Sequence, residues 1–175
     1  IEILRFDKSK FLSIENLSLN VENLKLTEKE VSRKLPIVFD QYSIKSKAFH
    51  FYPDEVYHIS AAEINTENGQ MSVTDFSMKP LMNFSEFSRK FPRKSLLDIS
   101  SQKINFKDIV LKKNKISLSE VRFSEPNLTM YTSENQNKNK NKLFTYIVEL
   151  QNVFFDNGKA KIIKNGQNKF SVDNV

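Results

Sequence analysis

Two histidines and two carboxylates stand within nine residues in the run HFYPDEVYH, from His50 to His58. Two imidazoles with Asp54 or Glu55 could be drawn as a metal site. The run reads better as a hairpin tip. Pro53-Asp54 presets a turn, the carboxylates point to water, and His50 and His58 are ordinary strand residues. No metal and no cofactor is expected. Nucleophilic catalysis needs a base beside the nucleophile and a strained or Gly-rich turn to expose it. Serines are plentiful, but G-x-S-x-G, G-x-G-x-x-G and phosphate-binding loops are all absent, and the chain holds only three glycines. No catalytic residue can be assigned, and the expectation is a protein that is not an enzyme.

The formal charge is +6, carried mostly by lysine. Nucleic-acid binding needs such charge interleaved with exposed aromatics. Lys112, Lys113, Lys115, Lys138, Lys140 and Lys142 cluster without aromatics among them, while the phenylalanines fall in register with aliphatic neighbours. No nucleic-acid partner is expected. With no cysteine, disulfides and thiolate metal sites are excluded.

What remains is a recurring pattern: apolar-x-apolar, two polar residues, apolar-x-apolar. It runs from Leu12 to Leu19 around Glu15-Asn16, and from Leu19 to Leu26 around Glu22-Asn23. It returns from Met71 to Met78 around Thr74-Asp75, and from Ile116 to Phe123 around Ser119-Glu120. Looser copies span Ile104 to Leu111 and Val148 to Phe155. Composition predicts about half of one strict match, so the four copies are a real period-2 signal. Alternation gives each strand one apolar and one wet face. The pattern also sets a geometric problem, because Ile14 and Leu17 are three apart and a regular strand would turn them to opposite faces. A two-residue hairpin at the polar pair would put them on one face, but Glu-Asn, Thr-Asp and Ser-Glu are poor type I′ turns. A bulge or bend also restores one face, curves the strand, and is the favoured expectation. The expected fold is therefore mostly β, a curved antiparallel sheet with hairpin and meander order.

Every glycine follows an asparagine: Asn68-Gly69, Asn157-Gly158 and Asn165-Gly166. Asn-Gly suits the type I′ hairpin turn. The first should pair Tyr57–Ile64 with Met71–Met78. The other two should fold Ile147–Phe155, Ala160–Lys164 and Phe170–Val175 into a meander. Lys113-Asn114 marks a further reversal. Two capping boxes, Thr27 with Glu30 and Asn83 with Glu86, open short amphipathic helices expected on the sheet's apolar face. Pro92 stops the second. Ser133 to Lys142 is low-complexity and polar, and cannot pack. The organisation expected is a curved sheet with two helices over 1–132, a flexible loop over 133–142, and a meander over 143–175 continuing the sheet.

The run from Tyr42 to Tyr131 resembles bacterial AsmA-like envelope proteins. The resemblance is carried by YSIKSKAFHF, QMSVTDFSMKP and INFKDIVLKKNKISLSEVRFSEPNLTMY, with LQNVFFDNGKAKII in the tail. It implies a periplasmic protein tethered to the inner membrane, whose curved sheets form a trough that carries phospholipid acyl chains in outer-membrane biogenesis. The implied anchor would lie upstream of Ile1, since no stretch here approaches the ~20 apolar residues that span a bilayer. Candidate groove-lining residues are Leu17, Leu19, Met71, Val73, Phe76, Met78, Ile104, Phe106, Ile116, Leu118, Val121 and Phe123. The alternative is a closed β-sandwich, structural or adhesive, with no lipid cargo.

Overall fold

A computed structural model describes residues 1–22, 41–112, 115–132 and 147–174. Its strands are β1 (Glu2–Leu4), β2 (Lys10–Glu22), β3 (Gln41–Phe51), β4 (Tyr57–Glu67), β5 (Gln70–Pro80), β6 (Leu96–Lys107), β7 (Val110–Lys112), β8 (Lys115–Ser124), β9 (Asn127–Thr132), β10 (Ile147–Asp156), β11 (Lys159–Lys164) and β12 (Gln167–Asp173). One helix, α1 (Phe84–Lys90), lies between β5 and β6. All twelve strands join a single open sheet.

From β1 to β6 each strand pairs antiparallel with the next. The turn between β3 and β4 is held by Asp54, whose carboxylate accepts from the amides of Val56 at 2.8 Å and Tyr57 at 2.9 Å. At Asn68-Gly69 both residues have positive φ, 45° and 80°, as a type I′ turn requires. The pairing of Tyr57–Ile64 with Met71–Met78 follows. Asn165-Gly166 has φ of 51° and 77° and makes the β11–β12 hairpin in the same way. Lys113-Asn114 lies outside the described residues, although β7 and β8 on either side pair antiparallel.

The expected meander at the end of the chain is corrected. Asn157-Gly158 does not reverse the chain. β10 lies parallel to β8, and β11 parallel to β9, so the two form one line across the junction. The reason is local: Asn157 has φ of 57°, but Gly158 is not left-handed, so the second half of a type I′ turn is missing. Gly158 is needed for closeness instead, since a Cβ there would stand 3.1 Å from the Pro126 ring. Parallel pairing of β10 with β8 demands a long crossover, as parallel neighbours always do. β9 is the first part of that connection; the rest, residues 133–146 with the polar run 133–142, lies outside the described residues.

The sheet is creased. Ala48, Asp75, Glu125 and Asn157 all have φ between about 48° and 57°. The register sets them in one line across β3, β5, the β8–β9 junction and the β10–β11 junction, with Ala62 and Gln102 between. Asn16, φ 48°, flanks that line at a bulge in β2. A left-handed residue breaks the alternation, so Val73 and Phe76, three apart, meet in one cluster. Two of the polar pairs thus supply bends, at Asn16 and Asp75. Ser119-Glu120 holds no left-handed residue, but a second fold line crosses β8 there from Asp108 opposite, φ 52°, and Leu118 and Val121, three apart, both join the cluster. There the Ser119 hydroxyl donates to the Asp108 carboxylate at 2.5 Å, and the Asn152 amide donates to the Ser119 carbonyl at 3.1 Å. Ser101, buried beside the first crease, donates to the Ser124 carbonyl at 2.8 Å.

Ala48 gives the crease a test. An L residue in this conformation is strained, and glycine is not. In urea unfolding, Ala48→Gly is expected to gain about 0.5–1 kcal/mol after its extra unfolded-state entropy is counted. Ala48→Val, β-branched at positive φ, is expected to lose about 1–2 kcal/mol.

The capping box at α1 forms as expected. The Asn83 side chain accepts from the Glu86 amide at 3.0 Å, and the Glu86 carboxylate accepts from the Asn83 amide at 3.2 Å. The helix ends at Phe91, before Pro92, with Phe87 buried. Its placement is a correction. Phe87 packs with Val56 and Leu96, ringed by Met82, Phe84, Phe91 and Tyr131, in a cluster that shares no residue with the larger one. α1 therefore packs at its own end of the sheet and not on the larger cluster. The other expected helix, from Thr27, lies outside the described residues.

Candidate apolar groove

The larger cluster is built from strand columns. Residues paired across neighbouring strands share a face. One column runs Ile64–Val73–Ile104–Phe123–Phe155, and the next Thr66–Met71–Phe106–Val121–Val153. Beyond the second fold line, Leu118 lies beside Leu150, and Ile116 beside Val148. Phe123 and Phe155 stack at 5.2 Å. The alternating columns are polar: Glu63–Thr74–Lys103–Ser124–Asp156 and Asn65–Ser72–Asn105–Arg122. On that side Lys107 pairs with Glu120 at 3.1 Å, and Arg122 with Asp156 at 3.1 Å while lying 4.3 Å over the Phe154 ring. Such exposed pairs hold little stability, below about 1 kcal/mol each. They keep one side of the sheet wet. A depression of about 560 Å³ opens there between Asn65, Ser72, Asn105 and Arg122.

The structure gathers Met71, Val73, Phe76, Ile104, Phe106, Ile116, Leu118, Val121 and Phe123 into the one cluster. Leu17 and Leu19 stand apart on β2, 47% and 64% exposed, where only the outer part of the apolar face reaches them. Leu19 is paired with Ile44, itself partly bare. Met78 is half-buried across the crease, between Ile59 and Ile99 in register, and belongs to neither cluster. The residue pattern missed Phe49, Ala61, Ile64 and Ile109, which join the cluster. β4 hides its bend behind Ala61-Ala62, where the other copies carry a polar pair. The exposed Leu150, Val153 and Phe155 were signalled by the loose copy from Val148.

His50 and His58 do come together, Nδ1 to Nε2 at 3.0 Å, with the Tyr52 ring stacked 4.5 Å from His58. The carboxylates are engaged elsewhere. Asp54 holds its turn, and Glu55 pairs with Lys90. Among the described residues no group of three or more His, Cys, Asp or Glu side chains could hold a metal.

Burial, and then the neighbouring His50, push His58 below the ordinary histidine value of 6.5. The folded chain therefore binds fewer protons than the unfolded one, and stability rises with pH through this window. The contribution is present above 6.5 and is lost as pH falls through the lower folded-state value. Urea unfolding across this range should show the loss in the parent chain and a flatter profile in His58→Gln.

No protein-family model, curated protein or solved structure matches the chain.

Proposed function

We propose that this chain is a non-catalytic segment of an AsmA-like envelope protein, and that its apolar sheet face forms part of a trough for phospholipid acyl chains. The single observation that supports this is the one-sided apolar face of the sheet. Columns of Ile, Val, Leu, Met and Phe cross β4, β5, β6, β8 and β10; Val73, Ile104, Leu118 and Val121 are buried in its floor, while Val148, Leu150, Val153 and Phe155 at the β10 end are exposed. An acyl chain laid on such a face gains about 0.8 kcal/mol per buried methylene. Grease alone can hold it, which suits a face without an assigned polar anchor. The ion-paired side would face the aqueous periplasm, and the tether to the inner membrane would come from another part of the protein.

The reading is tested by native mass spectrometry of the chain made in bacteria, followed by organic extraction. Bound phospholipid is expected, reduced severalfold in Leu118→Lys and unchanged in Lys103→Gln on the opposite face. A folded parent chain that carries no lipid, and takes none from vesicles, would refute it.

A further inference from the structure

β10 is unusual among the strands. Among the described residues it pairs only with β8, and along Ile147–Asp156 no other described strand pairs with its second edge. Ile147, Val148, Leu150, Val153, Phe154 and Phe155 are all exposed on it. A long apolar edge with unpaired amides and carbonyls is a template for another strand. The pattern of this strand also specifies which one.

Val148-x-Leu150, Gln151-Asn152, Val153-x-Phe155 reads the same in both directions by residue class. Val148, Leu150, Val153 and Phe155 lie beside Ile116, Leu118, Val121 and Phe123 of β8, so all four belong to the apolar face. We propose that β10 pairs antiparallel with β10 of a second copy, about a two-fold axis between Gln151 and Asn152. Val148 then faces Phe155 of the second copy, and Leu150 faces Val153, joining the two apolar faces without a break. The charges allow it. Glu149, tied to Lys115 at 2.6 Å, meets Phe154, and Asp156, tied to Arg122, meets Ile147, so no like charges are opposed. Among the described residues β12 covers only the β11 part of this line and does not pair with β10. Such a contact is isologous and closes at two copies. It does not depend on the lipid reading.

Sedimentation equilibrium of the chain is expected to give a dimer. L150K/V153K sets lysine against lysine twice and should give a folded monomer. L150E/V153K alters the same positions but sets opposite charges together, and should recover the dimer. Because the chain has no cysteine, a second measurement reads the register directly. On oxidation, a mixture of V148C and F155C should form the mixed disulfide, with little of either symmetric one. A monomeric parent chain, open-ended polymers built through another edge, equal behaviour of the two double variants, or symmetric disulfides would each overturn the proposal.

Discussion

Ile104→Asp is expected to destabilise the chain by about 4 kcal/mol or more in urea unfolding, among the largest effects a single substitution produces. Ile104 is 4% exposed on β6, in the middle of the sheet, with Val73 on one side and Phe123 on the other. A carboxylate there has no cation or donor in its own column, so it is desolvated without compensation. Lys103 is its neighbour in sequence but belongs to the wet side, and is exposed. Lys103→Gln should change stability by less than about 0.5 kcal/mol. The contrast between adjacent positions is the sharpest consequence of a one-sided sheet. Similar losses at both would mean that both faces are packed.

Leu96→Ala carries the second large effect. Leu96, at the start of β6, is the most completely enclosed large side chain among the described residues, at 1% exposure, and packs with Val56 and Phe87. Removing three carbons from such a site costs about 2–5 kcal/mol, depending on how far the surroundings collapse. Because α1 is docked through Phe87 in the same cluster, the loss should loosen the helix along with the sheet end. Hydrogen exchange should show Phe87 to Phe91 losing protection with Leu96→Ala, while amides around Ile104 keep theirs. Equal loss in both regions would show that the two clusters are one cooperative unit.

Much of this was legible because the signals were local. Asn68-Gly69 and Asn165-Gly166 carry their turn geometry in two residues, and the Asn83–Glu86 capping box needs only its own turn. Asn16 and Asp75, polar residues tolerant of positive φ, announce bends in the repeat. Where position depends on distant strands, the pattern fails. Ala48 has no intrinsic reason to be left-handed; its place in the crease comes from Asp75 and Glu125 on other strands. Asn157-Gly158 carries a hairpin signal, yet Pro126 and the parallel partner β9 hold it straight. Leu17 and Leu19 have the same alternation as Val121 and Phe123. What separates them is distance from the centre of the sheet, which alternation does not encode.

The proposed lie of acyl chains along the face carrying Ile104, Leu118 and Val121 can be read by methyl NMR of the chain loaded with a phospholipid spin-labelled on its acyl chain. Methyl signals of Ile104, Leu118, Leu150, Val121 and Val153 should broaden, while those of Val56 and Leu96 beneath α1 stay sharp. Broadening shared evenly by both sets, or absent from the first, would contradict it.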